Sequence, residues 1–187
     1  METSTTNQLF SKDDLKKLII PLLFEQALAI TVGMADTVMI SSAGEAAVSG
    51  VSLIDMFNNL IISVLAALAT GGAVVTSQFL GAGKKEDACK SAKQLIVSSV
   101  CITIGISILV MVFCNGIISL FFGKIEADVF HNAVIYMMIS ALSFPFLALY
   151  NSCAALFRSM GNSKITLKVS VVENIINIGG NALGVYV

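Results

Sequence analysis

Charge is scarce in this chain. Only 12% of its 187 residues are Asp, Glu, Lys or Arg, against 56% apolar residues. A soluble domain usually carries about twice that charge fraction, and one of this size could hardly bury so much apolar surface. A bilayer removes the difficulty by acting as the solvent. Metal and redox chemistry have as little to work with. There is one histidine, His131, and the four cysteines, Cys89, Cys101, Cys114 and Cys153, are scattered singly. No CxxC or Cys/His spacing points to zinc, haem or a disulfide framework, so the cysteines read as small apolar residues. No Ser/His/Asp set and no GxxxxGK[ST] phosphate loop occurs, and Gly81-Ala82-Gly83-Lys84 lacks the spacing of one. The sequence therefore predicts a protein that is not an enzyme, carries no cofactor and binds no nucleic acid. Residues 1–10 are polar and show no cleavable signal pattern, so the first apolar helix would itself direct insertion.

What is present is a series of five apolar stretches, each close to the roughly 20 residues needed to cross the hydrocarbon. They run from about Leu15 to Ile40, Val51 to Phe79, Leu95 to Phe122, Val129 to Phe157, and Ile165 to Val187. Short connectors rich in Gly, Ser and charge separate them. The expected fold is all-α and membrane-integral, with lipid as its surroundings. Ten of the 11 Lys and Arg residues fall at the N-terminal flank of the first stretch, between the second and third, or around the junction of the fourth and fifth, and Lys124 is the exception. Those three regions share one side of the membrane, so the N-terminus is expected on the cytoplasmic side.

Polar residues inside the apolar stretches carry the functional argument, because a charge at mid-bilayer costs about 3 kcal/mol on insertion scales and persists where it faces a wet cavity or a partner. Glu25 and Asp36 lie 11 residues apart on the first helix, close to three turns, and so share a face. Asp36 is the stronger candidate for an ion pathway, the alternative being a place at the headgroup boundary. Glu25 fits either a cavity or a neighbouring helix. Pro21 removes a backbone hydrogen bond from the same helix and is expected to bend it. On the second helix Asp55, Asn58 and Asn59 share a face near the outer end, as cavity lining or as an interfacial cap. Asn151 on the fourth helix fits the lumen equally well. On the fifth, Glu173, Asn177 and Asn181 recur at every fourth position. Such a stripe suits hard-oxygen ligation of Na⁺ or a hydrogen-bond network around a protonated carboxyl, or else polar contact between helices. The third stretch reads as packing and lipid contact.

Four motifs in order resemble one family. Pro21 and Gln26 followed by Met34-Ala35-Asp36-Thr37-Val38-Met39 are similar to the first helix of MATE (multidrug and toxic compound extrusion) antiporters. Ser77-Gln78-Phe79-Leu80-Gly81-Ala82-Gly83-Lys84 resembles that family's S-Q-x-x-G-A-G connector. Arg158-Ser159-Met160-Gly161-Asn162-Ser163-Lys164 resembles its R-G-x-G-[DN] connector, with Ser159 in place of glycine. Asn177-Ile178-Gly179-Gly180-Asn181 resembles its N-I-x-x-D stretch, with Asn181 in place of aspartate.

The resemblance implies twelve helices in two six-helix lobes, with residues 1–187 forming part of the N-terminal lobe and a C-terminal lobe or an oligomer partner needed for transport. It implies export of organic, often cationic, compounds from the cell across the cytoplasmic membrane, driven by inward Na⁺ or H⁺. It places Asp36 and Asn177 in a cation site, with Asp36 and Asn177 as Na⁺ ligands. Asn181 brings no negative charge to that site, and Glu173 is the residue able to supply one. Glu25, Gln26, Asp55, Asn59 and Asn151 are the candidate cavity or substrate contacts, and Pro21 the bending point. Two other readings are an exporter or flippase of lipid-linked or polysaccharide precursors from the same superfamily, and a non-transporting membrane remnant. The first would favour several cavity arginines, whereas Arg158 is the only arginine and lies in a connector.

Overall fold

The computed structural model describes residues 12–42 and 44–186, the side chains of 12, 14 and 181–186 excepted. It consists of five helices: α1 (Lys12–Ser41), α2 (Glu45–Gly81), α3 (Lys85–Phe122), α4 (Ala127–Ser159) and α5 (Ser163–Tyr186). Among the described residues, α1 to α4 are long and apolar enough to cross a membrane. The fifth, α5, is diluted by Lys164, Lys168, Glu173 and its asparagines. Large apolar side chains point outward throughout, Leu23, Phe24, Val112 and Leu120 among them, which is the arrangement that hydrocarbon rather than water stabilises.

The helices extend beyond their apolar parts. α3 begins at Lys85, well before the expected start at Leu95, and its 38 residues span about 57 Å. Lys, Glu and Ala sustain a helix outside the hydrocarbon, and Glu86 and Asp87 complement the positive end of its dipole. Two connectors close in the same way. Lys84 N–H donates to Phe79 O and Gly83 N–H to Leu80 O, both at 3.0 Å, and Asn162 and Gly161 repeat the pattern onto Phe157 and Arg158. Gly83 and Gly161 adopt φ of 74° and 79°, the left-handed turn that this helix ending requires. Non-helical backbone interrupts α3 at Phe113 (φ −104°, ψ 16°). The bend expected at Pro21 does not take that form, since α1 stays helical through it.

α4 is the hub of the core and packs along both α2 and α3. At one end Ile54, Val110, Ile118, Met137 and Phe144 form the principal apolar cluster. At the other, Ala69, Ala73, Leu95, Ala155 and Leu156 form a smaller one. Small residues set the spacing. A Cβ on Gly50 would come within 3.0 Å of the Ala133 nitrogen and the Val129 oxygen, so α2 and α4 nearly touch there. α1 packs chiefly against α5 and only lightly against its sequence neighbour α2.

The third helix differs from its expected role as plain packing. Ser99, Thr103 and Ser107, spaced by four, form a buried polar stripe, and Thr103 Oγ1 donates to the Ser99 carbonyl.

Candidate functional site

The light contact between α1 and α2 leaves a cavity of about 700 Å³ bounded by α1, α2, α4 and α5. α1 contributes Gly33, Asp36 and Thr37, α2 contributes Asp55, Asn58 and Asn59, α4 contributes Tyr136 and Ser140, and α5 contributes Glu173, Asn174 and Asn177. Among the described residues its ionisable lining is three carboxylates and one tyrosine, with no Lys, Arg or His. The remaining polar lining is amide and hydroxyl. Such a surface offers many oxygen acceptors and a negative field, which suits cations.

The α2–α4 wall is held by two hydrogen bonds. Tyr136 Oη donates to Asp55 Oδ1 at 2.9 Å. Asn58 Nδ2 donates to Ser140 Oγ at 3.1 Å. Asn58 is only 9% exposed, and its Oδ1 has no hydrogen-bond partner. On the opposite wall, Thr37 Oγ1 donates to Gly33 O at 2.9 Å, and Asn174 Nδ2 donates to Ser170 O at 2.7 Å. The three carboxylates stand apart: among the described residues, no three Asp, Glu, His or Cys side chains gather closely enough to hold a metal ion. Ligation of Na⁺ at Asp36 would therefore rest on amide and hydroxyl oxygens such as that of Asn177.

The sequence-predicted residues divide. Asp36, Asp55, Asn59, Glu173 and Asn177 line the cavity. Asn181 continues along α5, but its side chain lies outside the described residues. Gln26 is exposed on α1 and Asn151 is spent on Leu147 O at 3.0 Å, and neither lines the cavity. Glu25 does not line it either. It shares the face of Asp36, but sits about 16 Å further along the helix axis. There it is 7% exposed, with Oε1 3.5 Å from Arg158 Nη1 and accepting from Tyr150 Oη at 3.5 Å. The Arg158 guanidinium, from the connector end of α4, thus folds back onto α1. Helical periodicity gives the face of a side chain and not its depth; of the two readings open for Glu25, a cavity or a neighbouring helix, the structure shows the neighbouring helix.

Tyr136 and Ser140 were missed as site residues. The available signal was their spacing by one turn on α4, matching Asp55 and Asn58 on α2.

These features define a multi-pass helical membrane protein with an acid-lined cavity between two helix pairs. Residues 21–183 match the MatE family model, and the chain belongs to that family. It is 31% identical over 166 residues to the Bacillus subtilis protein called uncharacterized transporter YisQ, and 25% identical over 172 residues to the probable multidrug resistance protein NorM of Thermotoga maritima. Each alignment takes in 89% of this chain and 36% of the relative, so the chain spans just over a third of the relatives' length. The fold matches that of a MOP superfamily transporter from Pyrococcus furiosus with a TM-score of 0.83 at 19% identity, over 91% of this chain and 37% of the other.

Proposed function

We propose that the complete protein is an antiporter that expels organic cations in exchange for inward Na⁺ or H⁺, and that residues 12–186 supply its coupling cavity. One observation carries this reading: a cavity of about 700 Å³ whose ionisable lining, among the described residues, holds Asp36, Asp55 and Glu173 and no basic residue. That volume is in the range of pockets that take drug-sized molecules. The relative from Thermotoga maritima is named a probable multidrug resistance protein, which fits.

Asp36 is the coupling group. A carboxylate facing a low-dielectric cavity gains from binding Na⁺ or a proton, and loses that gain when the cavity reshapes and the ion leaves. α1 is suited to respond, because it is anchored mainly to α5 and touches α2 lightly. Cation entry at Asp36 would shift the α1–α5 pair against α2 and α4 and change the room left for an organic cation. The positive-inside distribution of Lys and Arg supports a cytoplasmic N-terminus and a cavity in the outer half of the cytoplasmic membrane.

Polarity separates this reading from a precursor flippase. A phosphate-bearing lipid needs fixed cations, yet Arg158 is paired with Glu25 and lies outside the cavity. The Pyrococcus furiosus protein is described as having a binding pocket of reverse polarity that suggests a different function. In this chain the ionisable lining is acidic. The test is export of a fluorescent organic cation from cells making the full-length protein: Asp36→Asn should abolish it at unchanged membrane abundance. Export at the wild-type rate would remove Asp36 from the mechanism.

A further inference from the structure

The α2–α4 wall contains a pair of acceptors that the coupling role of Asp36 leaves unused. Asp55 and Asn58 are three residues apart on α2, so their side chains stand about 5–6 Å from one another on one face. Each is fixed by a different residue of α4. Tyr136 occupies Asp55 Oδ1, and Ser140 occupies the Asn58 amide nitrogen. Both anchors orient the acceptors without exhausting them. The second Asp55 oxygen keeps its lone pairs, and Asn58 Oδ1 is buried in the cavity wall with no partner. An unpaired buried amide oxygen costs about 1–3 kcal/mol unless something donates to it. The group that satisfies both positions carries positive charge for the carboxylate and at least two N–H donors for the two oxygens.

Resting on the antiport reading above, we propose that Asp55 and Asn58 form a subsite for the protonated amine of the exported compound, distinct from the coupling site at Asp36. Asp55 supplies the counter-charge and Asn58 Oδ1 the directional acceptor, and Tyr136 and Ser140 are positioning residues. A bare Na⁺ is served less well here, since Tyr136 already donates to one oxygen of Asp55, the carboxylate of this wall. A primary or secondary ammonium needs only two acceptors at this separation. Substrate and coupling ion would then occupy facing walls of one cavity, and repulsion between them would link entry of one to exit of the other.

The experiment uses the full-length protein in detergent and three matched fluorescent ligands: a dansyl-propyl primary ammonium, its trimethylammonium counterpart and its neutral N-acetyl counterpart. Asp55→Asn is expected to weaken both charged ligands about tenfold or more and leave the neutral one unchanged. Asn58→Ala is expected to weaken the primary ammonium and spare the trimethylammonium, which has no N–H to give. Asp55→Glu should restore most of the charged-ligand binding, and Tyr136→Phe should reproduce part of the Asp55→Asn loss. Charged-ligand binding unchanged in Asp55→Asn would overturn the subsite, as would an equal loss for all three ligands, which marks a collapsed wall. Export lost in Asp36→Asn together with unchanged amine binding in Asp55→Asn would discard this subsite and keep the antiport reading. Export retained in Asp36→Asn would discard the antiport reading itself.

Discussion

Truncating Arg158 to alanine while Glu25 remains should destabilise the protein more than neutralising Glu25. The carboxylate is 7% exposed and holds two partners on Oε1, Arg158 and Tyr150, while its Oε2 is buried with none. Removing one member of a buried ion pair costs about 3–5 kcal/mol, because the other charge stays desolvated. Arg158 retains 30% of its side-chain exposure, so water would reach part of the vacated space and reduce the expected loss to about 2–3 kcal/mol. Glu25→Gln keeps the shape and leaves Arg158 able to turn to solvent, for a loss of about 1 kcal/mol. In the double variant no buried charge is left, so its stability should lie close to that of Glu25→Gln alone, with a coupling of about 2–3 kcal/mol. Unfolding of the purified full-length protein by dodecyl sulfate titration in mixed micelles measures all four corners of the cycle. Additive losses, or a smaller loss for Arg158→Ala than for Glu25→Gln, would show that the pair is screened by water and does not tie α1 to α4.

Three further outcomes follow from the packing and the orientation. Gly50→Ala should force α2 away from α4, since the new methyl meets backbone atoms at 3.0 Å; a loss of about 1–3 kcal/mol is expected in the same titration. Gly71→Ala, which meets nothing within 4 Å, should be neutral or slightly stabilising. Cys89 is exposed near the start of α3, so a membrane-impermeant maleimide should modify it in inside-out vesicles and not in intact cells. The reverse pattern would invert the orientation inferred from the Lys and Arg distribution.

Much of the fold was legible because a bilayer imposes a coarse rule. Long apolar runs separated by Gly and charge become spanning helices, and the connectors fell where Gly81 to Lys84 and Arg158 to Lys164 announced them. The error at α3 has a definite cause: an apolar run marks where a helix meets lipid, and the Lys85 to Gln94 segment is helical in water for other reasons. The candidate site was half legible. Asp36, Asp55, Asn59, Glu173 and Asn177 stood out because polar groups are costly in hydrocarbon, and all five line the cavity. The same rule also flagged Glu25 and Asn151, because it detects a polar group without saying what satisfies it, and Gln26 entered through the family resemblance alone. Arg158 with Tyr150 satisfies Glu25, and the backbone satisfies Asn151. Tyr136 escaped notice because a tyrosine in an apolar helix is unremarkable until its hydroxyl is seen on Asp55, 81 residues away in sequence.

The preference of α1 for α5 over α2 bears on how the chain is made. α1 leaves the ribosome first, yet its main neighbour is synthesised only after α2, α3 and α4 are complete. During that interval the carboxylates of Glu25 and Asp36 wait in the membrane without the helices that later surround them, a stage at which an insertase that shelters polar helices would have the most to offer.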